Sequence, residues 1–152
     1  MLPGRTDFMG EALAEADAAG RRGEVPIGAV LVLGGEIAAR AGNRTRELSD
    51  STAHAEILVI REASSALSAE RLSNADLYVT LEPCTMCAGA ISFARIRRLY
   101  FGATDEKGGA VVSGVRFFAA STCHHVPEVY SVIREVEAGD MLKRFFSERR
   151  RT

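Results

Sequence analysis

Residues 76–102 most constrain what this chain can fold into. Asp76-Leu77-Tyr78-Val79-Thr80-Leu81 reads as a strand, Pro83 opens a helix over 84–94, and residues 97–102 read as a second strand. Pro is favoured at a first helical position, where its missing N–H would be unpaired anyway. Strand–helix–strand over so short a span is a βαβ unit, which makes the two strands parallel with a right-handed crossover.

The rest of the chain adds elements to that unit. Phe8, Ala12, Leu13 and Ala16 recur at helical spacing, so 7–22 reads as a helix capped by Asp7 or Thr6 and ended by Gly20 and Gly23. Residues 25–33 are apolar and β-branched, Gly34-Gly35 signals a turn, and 36–41 return as the partner strand of a hairpin. The polar stretch 43–51 reads as a loop. A helix over 54–66 follows, with Ile57, Leu58, Ile60 and Ala63 apolar and Asp50, Ser51 or Thr52 as candidate caps. Beyond the βαβ unit, 104–114 is a Gly-rich, charged loop, 115–120 a short helix and 129–133 a fifth strand. Residues 135–149 form a C-terminal helix with Val136, Met141, Leu142, Phe145 and Phe146 inward. The sum is a three-layer α/β/α domain, a mixed five-stranded sheet with helices on both faces.

A chain of 152 residues, 47% hydrophobic and 26% charged, suits one globular domain spanning 1–152. The longest apolar run, 25–33, is far short of the roughly 20 residues of a membrane span. Met1-Leu2-Pro3-Gly4-Arg5 lacks the apolar centre of a signal peptide, so a cytoplasmic location and no membrane partner are expected. The formal net charge of −1 supplies no global positive field, so phosphate binding must come from local patches.

The chemistry lies in two short motifs, His54-Ala55-Glu56 and Pro83-Cys84-Thr85-Met86-Cys87. Cys84 and Cys87 share one face of a first helical turn, where the dipole favours thiolate, the ligand form. By itself Cys-x-x-Cys also fits a redox pair or a buried apolar pair. His54, at the start of another helix, shifts the balance to a metal. One His and two Cys make three zinc ligands and leave a fourth position open for water, the arrangement of a catalytic site. Residues i and i+2 lie roughly 200° apart on a helix, so His54 and Glu56 meet one ion only across the helix tip. Two helix N-termini therefore converge on the metal. Glu56 is the general acid/base beside it, because zinc lowers the pKa of bound water toward about 7 and a carboxylate can move the released proton. The rival cluster, Cys123-His124-His125, is disfavoured because successive residues point in different directions. It is assigned no role.

These residues resemble the H-x-E…P-C-x-x-C signature of the zinc nucleobase deaminases. Stretches 24–32, 77–84, 87–91 and 100–103 are similar to the bacterial tRNA adenosine deaminase family, and the likeness runs from about Phe8 to Arg150. The resemblance implies a cytidine-deaminase-like fold and one Zn2+ per subunit, held by His54, Cys84 and Cys87. Zinc-bound hydroxide would attack C6 of adenosine with Glu56 as proton shuttle, giving inosine at the wobble position of a tRNA anticodon stem-loop. It also implies a homodimer, a nucleoside contact from Asn43, and RNA contacts from Asp105, Lys107, Arg149 and Arg150. Departures from the family pattern are Thr45 after Asn43-Arg44, and Glu106 and Gly109 in the 104–114 loop. The competing functions are a guanine or cytosine deaminase sharing the zinc residues, a non-catalytic zinc-stabilised RNA-binding scaffold, and a Cys84/Cys87 redox protein.

Overall fold

The computed structural model describes residues 6–150, with the side chain of Arg150 outside the described set. The expectation about the first five residues lies outside it too. The order is α1 (Phe8–Arg21), β1 (Gly28–Leu33), β2 (Glu36–Gly42), α2 (Ala55–Leu67), β3 (Asp76–Leu81), α3 (Thr85–Phe93), β4 (Arg98–Ala103), a 3-10 turn at Phe117–Ala119, β5 (Glu128–Tyr130) and α4 (Glu135–Arg150). Five strands form one sheet in the order β2-β1-β3-β4-β5. β1 runs antiparallel to β2 and β3, whereas β3, β4 and β5 are mutually parallel. The sheet is mixed, and the βαβ unit is parallel as the sequence requires.

Strand alternation divides two cores. Ala29 and Leu31 of β1, Leu77 and Val79 of β3, and Leu99 and Phe101 of β4 pack with Ala55, Val59 and Ala63 of α2 and Ile91 of α3. Val30 and Val32, Tyr78 and Tyr100 face the other way, against Met9, Ala12 and Leu13 of α1 and Ala138 and Met141 of α4. Tyr78, Tyr100 and Tyr130 sit in register across the three parallel strands. Their rings stack at 4.2 and 4.8 Å between centroids. On the α1 side a Cβ at Gly28 would fall on the backbone of Ala12 and Ala16, so glycine lets the helix lie directly on the sheet.

Several elements differ from the sequence reading. β1 starts at Gly28 because Pro26 brings no N–H to a ladder and Ile27 N donates to Val25 O in a tight turn at 2.8 Å. β5 is displaced to Glu128–Tyr130 because the chain turns at Val132, whose φ is +57°. The expected short helix shrinks to the 3-10 turn. On α4, Met141, Leu142 and Phe145 are half-buried, but Val136 is 70% and Phe146 44% exposed. Ala138 makes the buried contact instead, because only a narrow stripe of α4 reaches the sheet.

Candidate active site

The two motifs sit at two helix starts on the α2/α3 side of the sheet. His54 is the N-cap of α2, in extended conformation (φ −73°, ψ 153°), and makes no side-chain cap bond. Asp50, Ser51 and Thr52 do not cap this helix; the Asp50 carboxylate instead accepts from Thr52 N and Oγ1. The capping role passes to Asn43, whose Oδ1 accepts from Ala55 N at 2.9 Å. A distant side chain thus satisfies the helix end and leaves the His54 ring free to turn outward. Because His54 is the cap of α2 and not one of its helical residues, the 200° argument does not govern it.

Cys84 is likewise an extended N-cap (φ −75°, ψ 177°) with no side-chain cap bond, and α3 begins at Thr85. Pro83 therefore precedes the cap and is not the first helical residue. Its carbonyl accepts from Ala110 N at 2.9 Å, which ties a later loop to this segment. Cys87 lies in the first turn of α3, one turn beyond the cap.

The convergence is close. His54 Nδ1 lies 3.7 Å from Cys84 Sγ and 3.5 Å from Cys87 Sγ. One ligand atom from each of the three falls within 4.8 Å of the others. A tetrahedral zinc with Zn–S of about 2.3 Å and Zn–N of about 2.0–2.1 Å sets S and N about 3.6 Å apart, so the spacing and the nitrogen-plus-two-sulfur donor set both fit. Cys87 is fully buried; His54 and Cys84 are half-buried, which keeps one side of the group accessible.

The electrostatics suit ligand chemistry. A hydrogen bond from Cys87 draws the Cys84 thiol down to about 4, against the opposing effect of burial and with help from His54. The same bond and burial push the Cys87 thiol up, so Cys87 is the thiol that donates to Cys84. The hydrogen bond to Cys84 raises His54. Glu56, only 4% exposed in the first turn of α2, has its carboxyl pushed up to about 7 by burial, and it hydrogen-bonds to Cys87. A carboxyl that exchanges protons near neutrality thus sits against the candidate ligands.

Two further buried carboxylates were not singled out from the sequence. Glu24 accepts from Arg46 N at 3.1 Å and Glu47 N at 2.8 Å, which pins the loop running from Asn43 to His54. Glu82 accepts from Asp105, Val111, Val112 and Ser113 backbone N–H groups, which pins the 104–114 loop. The sequence does carry a signal for both: each is a lone acid followed within two residues by Pro (Glu24-Val25-Pro26, Glu82-Pro83).

The other expected residues are spread out. Asn43 is buried at the start of α2. Asp105 folds an Asx turn, accepting from Lys107 N and Gly108 N at 3.2 and 3.0 Å, with the Lys107 side chain exposed. Arg149 donates to Gly23 O at 2.8 Å and lies over the Phe145 ring, 4.3 Å from its centroid. Arg150 offers only its backbone position in α4. In the rival cluster the Cys123 thiol donates to His125 O, His125 Nε2 donates to Ile96 O, and Arg95 and Ser92 donate to the backbone of His124 and His125. These residues fasten the chain to the end of α3.

Comparison with known proteins agrees with this geometry. The profile of the MafB19-like deaminase family matches residues 5–150. A tRNA-specific adenosine deaminase of Agrobacterium fabrum is 69% identical over 146 residues, covering 96% of this chain and 96% of the relative. A tRNA-specific adenosine deaminase of Bacillus subtilis is 50% identical, covering 95% and 89%. A solved structure from work on A-to-I editing by tRNA:A34 deaminases superposes with a TM-score of 0.89 at 70% identity, covering 91% of this chain and all of that one. The chain belongs to the MafB19-like deaminase family and, within it, to the bacterial tRNA-specific adenosine deaminases.

Proposed function

We propose that this protein deaminates adenosine to inosine at the wobble position of a tRNA anticodon loop. The observation that carries the reading is the meeting of His54, Cys84 and Cys87 at two helix starts with the buried carboxyl of Glu56 against them. The tRNA:A34 activity of the 70% identical structural neighbour supports the choice of substrate. His54, Cys84 and Cys87 would hold one Zn2+ per subunit. When bound, zinc supplies Lewis acidity that brings water toward ionisation near neutral pH.

The residues of the chain do the rest. Water adds at C6 and the C6–N6 bond breaks, so adenosine and water become inosine and ammonia. Glu56 takes one proton of the attacking water and delivers it to ring nitrogen N1; it then takes the proton of the new C6 hydroxyl and passes it to the departing amine, leaving the C6 carbonyl of inosine. Burial raises its carboxyl to about 7, which suits it to take up and release a proton near neutral pH. Asn43 Oδ1 is occupied by Ala55 N–H, which leaves the amide NH2 for the flipped nucleoside. Asp105, Lys107, Arg149 and Arg150 contact RNA. The enzyme is a homodimer of single-domain subunits, 1–152, and works in the cytoplasm. No helix among the described residues is long and apolar enough to cross a membrane.

The test is incubation with unmodified tRNA followed by sequencing. A-to-G readout at the wobble base with one zinc per chain is the expected result. Turnover of free guanine with no change in tRNA would overturn the reading.

A further inference from the structure

Glu82 is 2% exposed and has both carboxylate oxygens fully engaged. Oε2 accepts from three successive backbone N–H groups, Val111 at 3.0 Å, Val112 at 2.8 Å and Ser113 at 2.9 Å. Oε1 accepts from Asp105 N and Ser113 Oγ, each at 3.0 Å. Successive N–H groups converging on one point form an anion-binding nest. Here the anion belongs to the chain itself.

The nest has a fixed relation to the metal group, because Glu82 is two residues before Cys84. The same short segment holds the loop by its backbone: Glu82 N donates to Ala103 O at 2.8 Å and Ala110 N donates to Pro83 O at 2.9 Å. Loop 104–114 is therefore clamped at its start, middle and end to the peptide that delivers a candidate metal ligand. A Cβ at Gly109 would fall on the Glu82 carboxyl and the Asp105 carbonyl, so the loop closes around the carboxylate with no space left over.

We propose that Glu82 is a positioning residue for substrate: its carboxylate holds the 104–114 loop in the shape that presents Asp105 and Lys107 to RNA, at a set distance from the reacting centre. The inference rests on the tRNA reading above. It requires a carboxylate and not merely a polar side chain. All five partners are donors, so an amide in its place would turn an NH2 group toward N–H groups and leave at least one buried donor unpaired. Aspartate, one methylene shorter, cannot reach the loop from the same backbone position.

The experiment compares wild type with Glu82→Gln on an unmodified anticodon stem-loop RNA, reading zinc content, kcat, KM and amide hydrogen exchange. The expected result is unchanged zinc, faster exchange at Asp105 and 111–113, a rise in KM of about tenfold or more, and kcat within about threefold of wild type, the signature of lost substrate positioning. Faster exchange with KM unchanged overturns the proposal, as does zinc loss with a matching fall in kcat, which would mean that Glu82 acts only through Cys84. Should the variant not fold, Gly109→Ala disturbs the same clamp and leaves the carboxylate in place. The same KM-weighted loss is expected there, and an unchanged KM overturns the proposal. Failure of the wild type on the stem-loop would be seen before any substitution, and it overturns the tRNA reading itself.

Discussion

Glu56 and Glu82 are buried to nearly the same degree, 4% and 2% exposed, and their carboxyls respond in opposite directions. Burial pushes Glu56 up to about 7, with only its own backbone N–H, His54 and Cys87 acting against it. Burial also pushes Glu82 up, but the N–H groups of Asp105, Val111, Ser113 and Val112 outweigh it and hold the carboxyl below its ordinary value. Desolvation alone does not decide the charge of a buried acid; the supply of donors does. The α2 start leaves Glu56 short of donors, so it can gain and lose a proton. The end of β3 surrounds Glu82 with donors, so it stays charged and acts as a clamp.

The sharpest way to break this contrast is Glu56→Gln. With the proton carrier gone, kcat should fall by about 10²–10⁴, while zinc content stays at the wild-type level. Activity within tenfold of wild type would remove Glu56 from the proton path. Next in size, Glu82→Gln should lower stability near neutral pH by about 2–4 kcal/mol, read by urea unfolding, because charge-assisted bonds are lost and a buried donor is left unpaired.

The pH dependence separates the two acids by sign. Glu82 has a lowered folded-state value, so its contribution is fully present above its ordinary value of 4.5 and is lost as pH falls through the lower folded value. Glu56 has a raised one. In the metal-free protein its folded carboxyl binds the proton more tightly than the unfolded one between 4.5 and about 7, so its contribution declines as pH rises across that window. Unfolding of metal-free wild type and Glu56→Gln from pH 4 to 8 checks this: the gap between them should shift in the variant's favour as pH rises.

Asn43 offers a neutral version of the Glu82 role, one amide oxygen for one helix N–H. Asn43→Ala should cost about 1 kcal/mol of stability through the lost cap, apart from any effect on substrate. At the small end, the exposed Arg40–Glu11 pair, 3.2 Å apart with side chains 46% and 40% exposed, should yield under about 0.5 kcal/mol in a double-mutant cycle.

Much of the framework was legible because it depends on local pattern. The 76–81 strand, the parallel βαβ unit and the Gly34-Gly35 hairpin follow from alternation, turn chemistry and crossover handedness. The His54, Cys84 and Cys87 group was legible for a different reason: few residue types bind zinc, and their spacing at two helix starts leaves few other uses. The caps were harder to read. Nearest-neighbour chemistry pointed to Asp50, Ser51 or Thr52 for α2, whereas the donor is satisfied by Asn43, which reaches it only because the chain folds back. Val136 and Phe146 failed for a related reason: an amphipathic pattern marks an apolar face but not how much of that face a neighbour covers.

By itself, then, the sequence determined the order of elements, the mixed sheet and the three residues that could hold a metal, because these depend on spacing along the chain and on side-chain chemistry. Tertiary structure decided which buried acid has its carboxyl raised and which is held charged as the clamp of a loop. Glu56 and Glu82 are the same residue type, each two positions from a candidate ligand. They are told apart only by the backbone N–H groups that chain segments more than twenty residues away bring to Glu82 and not to Glu56.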